Sequence, residues 1–341
     1  KNSKNAQMKL IIPMAGMGKR MRPHSLTVPK PLIPVAGKAI VQHLVEDISR
    51  VCPEPIEEVN FVIGRFGEST ENLLKQVAKS IGAEAKISYQ DEALGTAHAI
   101  LCGQESLNGK VIVAFADTLF KADFKLDTNA EGIIWTSKVE NPEAFGVVKT
   151  NDDGVVEAFV EKPESFVSDR AIIGIYYFQD GERLRSELQR LIDEDIRIKG
   201  GEFGLTDALE NMKNSGVYFQ IDTVTEWLDC GNKDATVHTN QRVLENKYPE
   251  GNVHETVEIN NCQIIQPCLI SENVKLSNAV IGPWVSIGPN SVVENAVISN
   301  TIIQGDSQIK NTVIQNSMVG NHVVWIKEHE EISIGDYNQI K

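Results

Sequence analysis

Between residues 257 and 324 the chain repeats one short unit: asparagine, a small residue, then two aliphatics. It occurs at Asn278-Ala279-Val280-Ile281, Asn290-Ser291-Val292-Val293, Asn295-Ala296-Val297-Ile298, Asn300-Thr301-Ile302-Ile303, Asn311-Thr312-Val313-Ile314 and Asn316-Ser317-Met318-Val319. Equivalent asparagines recur after 17 residues (278 to 295) and after 16 (295 to 311, 300 to 316), close to one turn of a three-sided coil built from three hexads. In such a coil each short flat strand points an aliphatic inward. Asparagine or glycine takes the tight corner, where left-handed backbone angles cost them little. An ordinary β-sandwich would instead show sustained period-two alternation, which this region lacks.

Upstream the texture is different. Strand-like apolar runs at 9–13, 59–63, 85–89, 111–115, 133–137, 145–150 and 171–178 alternate with helix-like stretches at 40–51, 69–81, 96–102, 182–193 and 205–214. That alternation predicts an α/β domain around a mainly parallel sheet, with ligands at the carboxyl ends of the strands. Asn151-Asp152-Asp153-Gly154 reads as a hairpin turn, so part of the sheet is expected to be antiparallel. A helix-like segment at 234–245 and the link Tyr248-Pro249-Glu250-Gly251 set the expected boundary: one domain over 8–250, a second over 251–341. Residues 1–7, ahead of Met8, are set aside, and Gly335-Asp336-Tyr337 is expected to end a capping strand.

Composition narrows the function classes. The 341 residues carry a formal net charge of -14, which argues against a nucleic-acid partner. No apolar run approaches a membrane span, and Leu10-Ile11-Ile12 is too short for a secretory core. Five cysteines with no metal spacing suit reduced thiols in the cytoplasm, and Cys262 and Cys268 suit stacking or core positions. The charge is also unevenly placed. Eight Lys or Arg precede the first acidic residue, Glu46, leaving 25 basic against 47 acidic residues beyond it. Concentrated positive charge in the first structural unit suits a polyanionic small molecule.

That charge converges on the stretch from Ala15 to Lys38, which holds Lys19, Arg20, Arg22 and Lys30 among Gly16, Gly18, Pro23, Pro29, Pro31 and Pro34. Two familiar phosphate patterns fail here. Met21 stands where G-x-G-x-x-G needs its third glycine; a Walker loop needs a glycine further upstream, and Ser or Thr where Arg20 stands. What remains is a strand, G-x-G, paired cations and a loop stiffened by proline. Glycines let backbone N–H groups approach phosphate oxygens, Arg20 adds a fork and Lys30 a point charge. The prolines lower the cost of ordering those cations.

Gly16-Met17-Gly18-Lys19-Arg20-Met21-Arg22-Pro23 with Pro29-Lys30-Pro31-Leu32-Ile33-Pro34 closely resembles the signature of the sugar-1-phosphate nucleotidyltransferases. The resemblance continues in order through Gln90 with Leu94-Gly95-Thr96-Ala97, Phe115-Ala116-Asp117, Phe145-Gly146-Val147-Val148, Glu161-Lys162-Pro163, Ile173-Gly174-Ile175-Tyr176 and Trp227-Leu228-Asp229-Cys230-Gly231. It departs at Lys19, Ser25 and Ala116, where Thr or Ser, Thr, and Gly are commoner; none of these removes a needed charge. The resemblance implies a Rossmann-like α/β domain with a mixed, mainly parallel sheet, followed by a left-handed parallel β-helix of hexapeptide type.

By the same resemblance, a sugar 1-phosphate attacks a nucleoside triphosphate and pyrophosphate leaves. The attacking oxygen is already ionised, so positioning and charge neutralisation carry the rate, without a general base. The resemblance gives Asp117 and Asp229 to Mg²⁺, Arg20 and Lys30 to the triphosphate, and Lys162 to the sugar phosphate. Glu161 would accept sugar hydroxyls, with Gly146 and Gly174 leaving room for the pyranose. Ala15, Gly16 and Gly18 would face the nucleotide, while Gln90 and Gly95 read the base. A glutamine amide that donates and accepts together matches O4 and N3–H of uracil or thymine, favouring dTTP or UTP, with glucose 1-phosphate as acceptor. The alternatives are a bifunctional enzyme with an acetyltransferase on the coil, a GTP-dependent mannose-1-phosphate guanylyltransferase, and a non-catalytic regulatory homologue. The flat-sided coil is expected to assemble a homo-oligomer.

Overall fold

The computed structural model describes residues 8–198 and 200–339; the segment 1–7 set aside above lies outside them. Two compact units emerge. One comprises Ala39–Gly231 with the chain up to Ile33, the other Pro34–Lys38 with the chain from Asn232 onward.

The chain begins with β1 (Met8–Pro13), short β2 (Pro34–Val35) and β3 (Lys38–Ala39), α1 (Ile40–Val51), β4 (Ile56–Ile63), α2 (Glu68–Ser80), β5 (Glu84–Tyr89), α3 (Thr96–Cys102) and β6 (Val111–Ala114). Leu10, Ile11 and Ile12 are all fully buried, as a strand covered on both faces requires. Strand β1 accordingly sits in the middle, parallel to β4 and to β6, with β5 parallel beyond β4. Helix α1 buries Ile40, Val41, Leu44, Val45 and Ile48, one stripe at helical spacing.

Beyond β6 come β7 (Thr118–Lys121), β8 (Gly132–Lys138), β9 (Gly146–Thr150), β10 (Val156–Glu161), β11 (Arg170–Phe178), α4 (Gly181–Asp193), α5 (Leu205–Asn214), β12 (Phe219–Thr223) and β13 (Glu226–Asp229). The main sheet runs β10-β9-β11-β6-β1-β4-β5, with β8 joined to β11 and β12 to β8. Strand β11 is antiparallel to β6, β8 and β9. The sheet is therefore mixed, with its parallel run on the side that carries the glycine loop. Asn151 closes the expected hairpin between β9 and β10: its Oδ1 accepts from the N–H groups of Asp153 and Val155, each at 3.0 Å. Strands β7 and β13 pair outside the main sheet as a two-stranded antiparallel ribbon.

In the second unit, α6 (Lys233–Lys247) precedes β14 (Asn252–Val253), β15 (Glu258–Ile264), β16 (Cys268–Ile270), β17 (Lys275–Ile281), β18 (Val285–Ile287), β19 (Val292–Ile303), β20 (Gln308–Val319) and β21 (Val324–Ile326). Every strand pairing from β14 to β21 is parallel, and the register is the repeat itself: Ala279 meets Ala296, which meets Thr312. Ile281, Ile298 and Ile314 stack inward, while Val297 and Val313 are 46% and 75% exposed. The corner asparagines have left-handed backbones, with φ of 48° at Asn278, 50° at Asn295 and 56° at Asn311. Their side chains form a ladder: Asn261 Nδ2 donates to Asn278 Oδ1 (2.8 Å), Asn278 to Asn295 (3.2 Å) and Asn295 to Asn311 (3.1 Å). Cys268 lies in this core, where burial pushes its thiol up to about 11, and Cys262 packs against it half-buried.

One expectation differs from what is found. Residues 327–339 form no strand, because the parallel ladder stops at β21 and Tyr337 has no strand beside it to pair with. Helix α6 sits with the coil, since Asn240 Oδ1 accepts from both the Ala36 N–H and the Ser286 hydroxyl, each at 2.8 Å. No helix among the described residues is long and apolar enough to cross a membrane.

Candidate active site

The glycine loop leaves the carboxyl end of β1 and winds into two short 3-10 turns, Lys19–Met21 and Lys30–Leu32. Fully buried Met21 anchors the first turn. Gly18 adopts φ +60°, and Ser25 Oγ donates to its carbonyl (2.7 Å). A methyl group on Gly18 would stand 2.8 Å from Lys30 Cβ, whereas one on Gly16 would meet nothing within 4 Å. The two glycines thus do different work. Gly16 leaves open space in front of the strand; Gly18 lets the second half of the loop, with Lys30, close against the first.

Lys30 is held in turn by Asp117, at 3.2 Å between Nζ and Oδ2, just beyond the carboxyl end of β6. The second carboxylate arrives by the ribbon. Asp229 lies opposite Thr118 in the β13–β7 register, and the Cys230 N–H donates to the Asp117 carbonyl (3.0 Å). Asp229 Oδ1 accepts from the Gly231 N–H at 2.9 Å. A Cβ on Gly231 would come within 3.1 Å of both carboxylate oxygens and 3.2 Å of an Arg20 Nη, so Arg20 and Asp229 flank the same bare backbone. Burial raises the pKa of Asp229, and the charge of Asp117 adds to that; the Gly231 N–H, Lys30 and Arg20 pull the other way. Four residues read from the sequence, Arg20, Lys30, Asp117 and Asp229, therefore meet.

A cleft of about 270 Å³ opens beside them, lined by Ala15, Gly16, Gly18, Lys30, Gln90 and Gly95 among others. Among the described lining residues the charged ones are Lys30, Asp117 and Glu202. Gly95 is obligatory: at φ +113° a Cβ would lie 2.5 Å from the Phe203 carbonyl. That contact belongs to a clasp in which the Phe203 N–H donates to Leu94 O and the Ala97 N–H to Phe203 O. The expected sugar residues form a neighbouring group. Gly146 faces Glu161 across the β9–β10 pair, and a Cβ there would stand 2.9 Å from Glu161 Oε2. Gly174, at φ +86°, accepts from the Phe115 N–H (3.0 Å) and so adjoins the cleft wall. Lys162 is tied to the same group by its backbone, its N–H donating to the Phe145 carbonyl (3.1 Å), while its side chain is exposed and its ammonium has no polar partner among the described residues.

Sequence reasoning missed Glu202, in a stretch without periodicity, and His98. The latter was findable, since it lies one helical turn beyond Gly95 on α3. His98 Nδ1 is 3.0 Å from the Gln90 amide nitrogen. Thr206 was also missed; its hydroxyl donates to Glu161 Oε2 at 3.4 Å.

Glycines, two cations and Asp117 at the carboxyl ends of parallel strands, with Asp229 brought beside them by the antiparallel β7–β13 ribbon, suit a polyphosphate ligand. The nucleotidyl transferase family model matches residues 9–246, and the chain belongs to that family. Bifunctional protein GlmU of Methanococcus vannielii is 31% identical over 338 residues, covering 93% of this chain and 78% of the relative. Glucose-1-phosphate thymidylyltransferase of Streptomyces griseus is 26% identical over 341 residues, 93% of each chain. The fold is shared with a crystal structure of UDP-glucose pyrophosphorylase complexed with UDP-glucose, at TM-score 0.56 and 24% identity, over 71% of this chain and 100% of that one.

Proposed function

We propose that the protein joins a nucleoside triphosphate to a sugar 1-phosphate, giving an NDP-sugar and pyrophosphate, with dTTP or UTP and glucose 1-phosphate as the favoured pair. The observation that carries this reading is the meeting of Arg20 and Lys30 with Asp117 and Asp229 beside the cleft. The family match and the names of the relatives support it.

Two phosphate groups repel as they approach, so the chain must supply charge. Lys30 lies at the cleft wall and Arg20 beside it, positioned to neutralise the triphosphate and the departing pyrophosphate. Lys162, following Glu161, takes the sugar phosphate, and Glu161 accepts hydroxyls of the ring, steadied by Thr206. Ala15, Gly16 and Gly18 border the nucleotide, and Gln90 with Gly95 reads the base. Gly146 and Gly174 leave room for the pyranose.

Asp117 and Asp229 fit a divalent cation. They are two neighbouring carboxylates, one with its acidity weakened first by burial and then by the charge of the other, and among the described residues no third His, Cys, Asp or Glu joins them in a cluster. So small a hard-oxygen set suits Mg²⁺, which takes its remaining ligands from water and substrate phosphates. When bound, the ion supplies charge neutralisation between the reacting phosphates.

The proposed organisation is a transferase domain over 8–250, counting α6 because the family match runs to residue 246, and a left-handed parallel β-helix over 251–341. The flat coil, carrying Val297 and Val313 outward, would serve a homo-oligomer, and free cysteines suit the cytoplasm. A pyrophosphate-release screen tests the reaction: dTTP, UTP, GTP, ATP and CTP against a panel of sugar 1-phosphates, with Mg²⁺. Turnover restricted to dTTP or UTP with glucose 1-phosphate is expected. Release from no pair would overturn the reading, and GTP with mannose 1-phosphate would replace the substrates. A second reading, acetyl transfer on the coil, has the bifunctional relative and the 4.0 Å approach of His322 to Asp306 in its favour; a separate assay for free CoA thiol, released from acetyl-CoA in the presence of an amino-sugar 1-phosphate, measures it.

A further inference from the structure

The Gln90 amide nitrogen has two hydrogens and two partners: the Gly95 carbonyl at 3.3 Å and His98 Nδ1 at 3.0 Å. A carbonyl can only accept, so the contact with Gly95 fixes which end of the amide is nitrogen. His98 Nδ1 must then present its lone pair, with the ring proton on Nε2. With both hydrogens committed, Gln90 keeps only its oxygen for a ligand in the cleft it lines.

We infer that His98 is a positioning residue for base selection: by accepting from Gln90 it makes that side chain a pure acceptor, which selects a base offering an N–H. The inference rests on the nucleotide reading of the cleft and corrects the sequence expectation that Gln90 both donates and accepts. Uracil and thymine carry an imide N3–H that donates to such an oxygen. Cytosine presents a bare N3 lone pair at the same place, and two facing lone pairs repel. Burial lowers the pKa of His98, against the charge of Glu92, which keeps the ring neutral as this role requires. Without the imidazole the amide is free to rotate, and the distinction between the bases fades.

The test measures equilibrium binding of UTP, dTTP and CTP, together with KM and kcat, for the wild type, His98→Leu and His98→Asn. Asparagine places an acceptor oxygen near the Nδ1 position; leucine fills the space without one. One hydrogen bond corresponds to about a tenfold change in affinity. The preference for UTP and dTTP over CTP should fall about tenfold in His98→Leu, through KM rather than kcat, and return to within about threefold in His98→Asn. A folded His98→Leu with undiminished preference overturns the inference. So does a wild type that binds the three nucleotides equally, or a His98→Asn that behaves like His98→Leu. Base-selective binding that depends on His98, in a protein that turns over no sugar 1-phosphate, would uphold this inference and overturn the proposed reaction.

Discussion

Alanine at Gly18 and alanine at Gly16 should have opposite consequences. At Gly18 the left-handed backbone, φ +60°, costs a residue with a side chain about 1–2 kcal/mol. The new methyl would also stand 2.8 Å from Lys30 Cβ, the root of that side chain, so backbone must move. Strain and displacement together come to roughly 2–3 kcal/mol, or about 5–10 °C in the melting temperature of the first unit. Lys30 then leaves its place 3.2 Å from Asp117, and a shift approaching 1 Å reduces kcat on the order of 10²-fold. At Gly16 the methyl meets nothing within 4 Å, so stability should stay within about 0.5 kcal/mol. Its cost falls on ligand space, raising KM for the triphosphate more than it lowers kcat. Thermal melts and steady-state pyrophosphate release on the two variants provide the comparison. Equal melting temperatures for both would refute the claim that Gly18 is required by Lys30.

Three further outcomes are expected. Asp117→Asn should lower Mg²⁺-dependent pyrophosphate release by at least about 10³-fold while the far-ultraviolet dichroism stays unchanged; near-normal turnover would sink the metal assignment. Asp222, its pKa raised to about 6 by burial and then by the charge of Asp127, holds a proton more tightly folded than unfolded. Its contribution therefore costs nothing below about pH 4 and erodes stability as pH rises toward 6. Asp222→Asn should remove that slope and stabilise by about 1–2 kcal/mol at pH 7.5, after discounting for partial solvent access; parallel urea-unfolding profiles for variant and wild type would contradict this. In the coil, Asn295→Ala loses two ladder bonds and places alanine at φ 50°, whereas Asn295→Gly loses only the bonds. Hydrogen exchange at 296–298 should be faster in the alanine variant by the additional 1–2 kcal/mol of strain, and equal rates would count against it.

What the sequence revealed follows from how local the determinants are. Helices α1, α3 and α5 were readable to the residue, because apolar stripes, and for α3 and α5 a glycine at the N-cap, are local signals. The coil was readable from its corners, since each left-handed turn needs Asn or a stand-in and the repeat is the register. Strands β7, β12 and β13 were missed. They have four or five residues each, and Asp222, Glu226 and Asp229 interrupt any apolar pattern. The same gap hid the site's assembly: nothing local indicates that Asp229 pairs beside Asp117, and only the family resemblance joined them. The clasp of Phe203 on Gly95, which brings Glu202 to the cleft, was invisible for the same reason.

The β7–β13 ribbon also sets the order in which a growing chain becomes competent. Asp117 leaves the ribosome early, with the loop that bears Arg20 and Lys30, but its partner Asp229 lies roughly 110 residues later. At ordinary rates of synthesis that interval lasts on the order of 5–20 s. A nascent chain thus carries the cations well before the second carboxylate exists. On the proposed metal assignment, competence waits until the last strand of the first unit closes on β7, and chains cut short before it are expected to be inert.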